Sequence, residues 1–270
     1  MVGKKLQITN YKLQTNSNDQ TINKQKRLTG GCLVIWSLVI GYCLVIVSWL
    51  LVISPAYAGD IIWNGPDDHR VIALTFDDGP RIDGSPDILN ILDKYGVKAT
   101  FFVVGTEAEQ NPDIVYRIYD YGHEVGNHFH SNERLKDIPF KEALSGIERT
   151  NEIIYSITGK RPKYFRPPGG KCPDALIKHL LGSGMEIIGW TINVEDYTEF
   201  KESFEIEKNY IEAAKKIRDK VLDEARPGAI VLLHNGSKQT ILALPEIIER
   251  LRSDGYGFVT ISELLEGRES

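Results

Sequence analysis

Downstream of residue 59 the chain alternates short apolar, β-rich runs with longer segments of helical period, and this alternation restricts the fold more than any other feature. Strands are expected at Val71–Phe76, Ala99–Val104, Glu124–His128, Tyr164–Arg166, Glu186–Thr191, Ala229–His234 and Gly257–Ile261. Helices are expected between them, over Pro86–Lys94, Pro112–Tyr121, Lys141–Ile157, Pro173–Gly182, Glu205–Glu224 and Ile241–Ser253. Several of these open on Pro or Asp and close on Gly, as helix ends prefer. Seven strands joined by helical crossovers predict a parallel sheet, closed as a barrel or doubly wound. Both architectures collect their sites at the C-terminal ends of the strands. Asp77, Asp78, His128, Arg166, Asp196 and His234 each close or follow one of the apolar runs, so six polar residues point to one mouth.

The first 58 residues read differently. From Gly31 to Ile53 the sequence is almost wholly apolar, and Ser54-Pro55-Ala56-Tyr57-Ala58 follows as a small-x-small cleavage pattern. Upstream lie Lys4, Lys5, Lys12, Lys24, Lys26 and Arg27 against the single acid Asp19, the bias of a segment that stays in the cytoplasm. An export signal is expected, with an uncleaved membrane anchor as the alternative. The reading is therefore a leader over 1–58 and a catalytic domain over 59–270. The leader is partly low-complexity, repeating Leu-Val-Ile four times, and a true start downstream of Met1 is the alternative reading.

Without the leader, 26 basic and 36 acidic residues remain, a net charge of −10. That acidity argues against nucleic acid or anionic lipid as a partner, because both are bound through basic surface. Membrane contact is expected only through an uncleaved leader. Cys172 is the one cysteine after residue 58, so no internal disulfide can form and the fold must rest on its core. About 212 residues suffice for a single domain, and a monomer is expected.

Asp77 and Asp78 end the apolar run Val71–Phe76 and lead into Gly79-Pro80. Adjacent carboxylates disfavour each other's ionised forms unless a cation compensates them. A divalent metal on one and an arginine on the other would do so, leaving the second carboxylate as a general base. An Asp-Asp-Gly-Pro turn is the plain alternative. His128 alone would pass for a hydrogen-bonded structural residue.

In order and spacing, Thr75–Pro80, Gly122–His128, Arg166–Gly170 and Leu232–His234 resemble four motifs of the polysaccharide deacetylases of carbohydrate esterase family 4. A fifth, weaker match is Trp190–Tyr197, and the resemblance covers about residues 70 to 265. It implies a distorted (β/α) barrel of about seven strands and a metal-dependent N-deacetylase acting on a cell-wall or chitin-like glycan, peptidoglycan first. In that scheme Asp77 is the base, and Asp78 and His128 hold a divalent metal, expected to be zinc. His234 is the acid that protonates the leaving amine, and the backbone N–H of Gly169 contributes to the oxyanion site. Arg166 and Asp196 orient base or acid, and the sequence leaves their pairing open. Trp190, Tyr197 and Leu232 become candidate sugar contacts, with core packing equally expected for the two aromatics.

The chain departs from the family pattern in several places. Where a second histidine usually follows the first by four residues stands Asn132, preferred here as third metal ligand, with His130 the rival. Gly169 takes a place often held by Tyr, and Asn235 one where Asp is common. The charged segment from Glu199 to Lys220 is expected to be a solvated helical rim, with a lip over the substrate groove as the alternative. Cys172 is expected to be a small buried residue, and His179 a surface one. The rival function is a non-catalytic carbohydrate-binding domain, which would have no need of Asp77, Arg166 and His234.

Overall fold

The computed structural model describes residues 61–197 and 206–266. The leader, the expected helix start at Glu205 and the first part of the charged segment, 199–205, lie outside them. Among the described residues no helix is long and apolar enough to cross a membrane.

The strands are β1 (Val71–Gly79), β2 (Thr100–Val103), β3 (Glu124–Asn127), β4 (Tyr164–Phe165), β5 (Glu186–Ile187), β6 (Ile192–Asn193), β7 (Ile230–His234) and β8 (Gly257–Phe258). The helices are α1 (Ser85–Tyr95), α2 (Gly105–Gln110), α3 (Pro112–Asp120), α4 (Phe140–Thr158), α5 (Asp174–Gly182), α6 (Ile206–Glu224), α7 (Lys238–Ser253) and α8 (Ile261–Glu266). Seven strands follow the order β5, β4, β3, β2, β1, β7, β6, with every pairing parallel, and β8 pairs with the start of β1. The sheet curls into a half-barrel with the helices around it. Residues 62–65 bridge from the β5 edge of the sheet to β7: Ile62 pairs with Ile188 and Asn64 with Ala229.

Side chains on a strand alternate between its two faces, and this alternation builds the core in two layers. Ile72, Leu74 and Phe76 of β1 and Val231 and Leu233 of β7 pack outward with Leu89, Leu92, Leu244 and Ile248 of the helices. Each fully buried side chain of this kind contributes about 1.5–3 kcal/mol. The intervening residues Ala73, Ile230, Tyr164 and Ile188 point inward with Ile261 and Leu264 of α8. Continuing along the same inward positions, Ala73 gives way to Thr75 and Asp77, Ile230 to Leu232 and His234, and Tyr164 to Arg166. The interior is thus apolar at one end and polar at the other, which is the C-terminal end of the strands.

The expected strand Glu186–Thr191 is interrupted. Its ladder ends at β5, and a separate β6 pairs with β7. The break is at Gly189, where a Cβ would stand 2.3 Å from the Trp63 ring. Tyr164–Arg166 and Gly257–Ile261 are likewise shorter than expected, the second because α8 starts at Ile261. Helix α2, with no side-chain cap and only six residues, was not foreseen. The α6 segment is more than a solvated rim: Ala214, Ile217 and Val221 recur at helical spacing and are buried in the main core.

Candidate active site

Two ion pairs hold the mouth of the half-barrel. Arg166, fully buried, follows β4, and its Nη1 donates to Asp77 Oδ1 at 2.9 Å and to Thr75 Oγ1 at 2.7 Å. Its Nη2 donates to Gly189 O at 2.8 Å, and its guanidinium lies 4.1 Å from the centre of the Phe102 ring. A buried arginine is tolerated because nearly every N–H finds an acceptor. Burial lowers its pKa while Asp77 opposes that shift.

The second pair is His234 with Asp196. His234 Nδ1 and Asp196 Oδ1 are 2.5 Å apart, and the other carboxylate oxygen accepts the backbone N–H of His234 at 2.9 Å. The Thr240 hydroxyl donates to that same oxygen, while Ser237 Oγ and Gln239 Nε2 donate to the Asp196 carbonyl. Asp196 is therefore held from α7 and its cap. Burial works against the imidazolium, but the hydrogen bond and charge of Asp196, with Asp77 and Asp78 nearby, push the His234 pKa up to about 9.

Between the pairs lie Asp78 and His128. Strict alternation would turn Asp78 away from Asp77, yet both carboxylates face one imidazole: His128 Nε2 is 3.4 Å from Asp78 Oδ1 and 3.7 Å from Asp77 Oδ2. The backbone explains this. Asp78 has φ +66, a left-handed conformation for which Asp is among the better-suited residues, and it swings the side chain back to the mouth. Burial raises the Asp78 pKa, but hydrogen bonding to His128, the charges of His128 and His234, and a contribution from Asn132 hold it below the usual value.

His128 Nδ1 lies 2.8 Å from Arg166 O, an atom that can only accept. Nδ1 therefore carries a proton and donates to that carbonyl, leaving Nε2 as the nitrogen that faces Asp78 and that would serve as the ligand atom when a cation replaces its proton. This is the arrangement of a metal-ligating histidine held by an outer hydrogen bond. For bonds of about 2.1 Å, two tetrahedral ligands are about 3.4 Å apart, the separation of these two atoms. The donor set fits a divalent ion. Among the described residues no three His, Cys, Asp or Glu side chains converge to hold a metal; a further donor is the amide of Asn132, which hydrogen-bonds Asp78. His130 points elsewhere, its Nδ1 lying where a Cβ on Gly105 would meet it at 2.5 Å, beside Thr150.

The matching family model is that of the polysaccharide deacetylases, over residues 64–188. A peptidoglycan-N-acetylglucosamine deacetylase of Bacillus cereus is 34% identical over 210 residues, covering 77% of this chain and 93% of the relative. The chain belongs to the polysaccharide deacetylase family. The peptidoglycan-N-acetylmuramic acid deacetylase PdaA of Bacillus subtilis is 31% identical, covering 78% of this chain and 77% of its own length. A solved peptidoglycan N-acetylglucosamine deacetylase superposes with a TM-score of 0.70 at 32% identity, over 76% of this chain and 92% of that one. A pseudoenzyme of the same family from Bacillus anthracis also superposes, with a TM-score of 0.68 at 29% identity, over 76% and 68% of the two chains.

Within this family fold, Asp77, Asp78, His128, Arg166, Asp196 and His234 converge, with Asn132 at the edge. Gly169 lies in the turn after Arg166 with φ +67. Tyr197 is exposed, its ring edge-on to His234 at 6.0 Å. Leu232 is buried on β7, on the same face as His234. Trp190 is half-buried, edge-on to Trp63 and against Gly170, so packing accounts for it. Cys172 is half-buried with its thiol pushed up to about 12 by burial, and His179 is exposed.

Sequence reasoning missed Thr75, Asn127 and Thr240. Asn127 accepts from the Phe129 N–H at 2.7 Å and donates to Asn151 and Ile147, fixing the loop that carries His128. The signal for Thr75 was available, since it sits two residues before Asp77 on the inward face.

Proposed function

We propose that this chain is an exported, metal-dependent hydrolase that removes N-acetyl groups from amino sugars of a cell-wall glycan, peptidoglycan ahead of chitooligosaccharide. The observation that carries this reading is the separation of Asp77 and His234 into two differently paired groups. Asp77 is a carboxylate stabilised by a buried arginine, and His234 an imidazole kept protonated by Asp196. A candidate general base and a candidate general acid thus face one mouth, the acid held protonated by its partner.

Asp78, His128 and Asn132 would hold the ion. When bound, a divalent ion such as zinc supplies Lewis-acid stabilisation for the developing oxyanion and acidifies water. Asp77 takes the proton of the attacking water, and Arg166 holds that carboxylate in place through its hydrogen bond. His234 hands its proton to the sugar nitrogen, without which the amine would be a very poor leaving group. Gly169 offers a backbone N–H to the oxyanion. Tyr197, exposed beside His234, is the sugar contact of this scheme.

The test is acetate release by the purified chain from peptidoglycan and from chitin oligomers, after metal stripping and after reloading with zinc. Release that needs the metal supports the reading. One observation favours a second reading: with Asn132 in place of a histidine, the donor set is poorer than two histidines and a carboxylate. A carbohydrate-binding domain without catalysis would bind the glycans and release no acetate with any metal.

A further inference from the structure

Beside the two ion pairs a cavity of about 690 Å³ extends from Asp78 and His234 to Arg81, Lys238 and Leu242. Arg81 is seated on the backbone after β7: a Cβ on Gly236 would lie 2.7 Å from its Cδ and 2.8 Å from its Nε. Gly236 also has φ +80, so both conformation and space keep that position free of a side chain. The backbone N–H of Arg81 donates to Ser85 Oγ at 2.8 Å, and that hydroxyl donates to Asn235 Oδ1 at 2.9 Å. The residue is therefore tethered at its backbone and along its stem. Its head is less occupied. Nε donates to Asp83 Oδ1 at 3.4 Å, and among the described residues Nη1 and Nη2 meet no acceptor. Lys238, with Nζ 4.9 Å from the Tyr210 ring centre, adds a second cation along the cavity. The acids there besides Asp78 and the His234-paired Asp196 are Asp83, which engages only the Nε side, and Asp87.

We propose that Arg81 is a specificity residue that binds a carboxylate of the glycan close to the sugar being deacetylated. A planar guanidinium with both terminal nitrogens free is the side chain best matched to a carboxylate, which it can hold through two parallel hydrogen bonds. This inference rests on the deacetylase reading and narrows it: the preferred substrate is an anionic cell-wall strand, not a neutral N-acetylglucosamine polymer. Such a strand offers a carboxylate on the lactyl ether of its muramyl sugars or on an attached stem peptide.

The experiment compares kcat/KM of the metal-loaded wild type, Arg81→Gln and Arg81→Lys on three substrates of equal sugar length. These are peptide-free strands with free lactyl carboxylates, strands whose lactyl groups carry peptides, and chitooligosaccharide. Arg81→Gln should lower the ratio of carboxylate-bearing to neutral substrate by at least about tenfold, through KM more than kcat, as expected for loss of a hydrogen-bonded charge. Arg81→Lys should recover part of it, and the wild-type ratio should fall with added salt. An effect on peptide-free strands assigns the lactyl group, and one confined to peptide-bearing strands assigns the peptide. A ratio unchanged in Arg81→Gln on both overturns the proposal. If the wild type releases acetate from none of the three, the deacetylase reading fails. Equilibrium binding of the same glycans then decides Arg81: selective weakening of the anionic ones in Arg81→Gln upholds its role, and equal binding overturns it.

Discussion

Asp77 and His234 are register partners across β1 and β7, and each has a countercharge of its own, Arg166 for the carboxylate and Asp196 for the imidazole. The buried Arg166 guanidinium donates to Asp77, and Asp196 offsets the tendency of His234 to lose its proton. On the proposed reading, the base and the acid of amide hydrolysis stand on adjacent strands, each with its own partner.

The metal site makes a graded prediction. Asp78→Ala and His128→Ala should each abolish zinc binding and activity, measured by metal analysis and acetate release. Asn132→Ala should weaken zinc affinity, and Asn132→His should hold or increase it. His130→Ala should change little, because its ring faces Gly105 and Thr150. Loss of metal in His130→Ala with Asn132→Ala silent would transfer the third ligand to His130.

The acid role of His234 can be separated from packing by the leaving group. His234→Ala should reduce cleavage of the acetamide far more than cleavage of an activated aryl acetate, whose leaving group departs without a proton. Equal losses on the two substrates would show that His234 acts by other means.

The pH dependence follows from the pair His234–Asp196. With a pKa near 9 in the folded protein against an ordinary 6.5, His234 stays protonated through neutrality, so the alkaline limb of kcat/KM should fall near pH 9. Asp196→Asn removes the main cause of the upward shift and should move that limb toward lower pH. The same pair predicts a stability effect. A raised histidine pKa stabilises the folded state fully below the unfolded pKa and loses that contribution as pH rises through about 9. Melting of the metal-free wild type should therefore decline from pH 6.5 to 9 more than melting of Asp196→Asn.

Much of the site was legible because strand periodicity and chain order carry it: Asp77, Arg166 and His234 sit at ends of runs that had to be strands. The partners were harder to read. Asp196 reaches His234 from 38 residues away through a loop whose path depends on β6, a two-residue strand that no periodicity marks. Thr75 could be placed on the inward face with Asp77, but its role as an acceptor for Arg166 shows only with Arg166 beside it. The left-handed backbone of Asp78 cannot be inferred from alternation, which would have pointed it away from the mouth. The half-barrel's bridge at residues 62–65 was equally hidden, since Ile62 and Asn64 make isolated pairs in a segment of no clear period.

The most direct test of the account is acetate release from peptidoglycan by zinc-loaded Asp77→Asn, with bound zinc measured in the same preparation. Asp78, His128 and Asn132 are untouched, so zinc should remain bound. Turnover should fall about a hundred- to ten-thousand-fold, the usual contribution of a general base. Near-normal turnover with zinc bound would mean that Asp77 is not the base and would contradict the division of labour between Asp77 and His234.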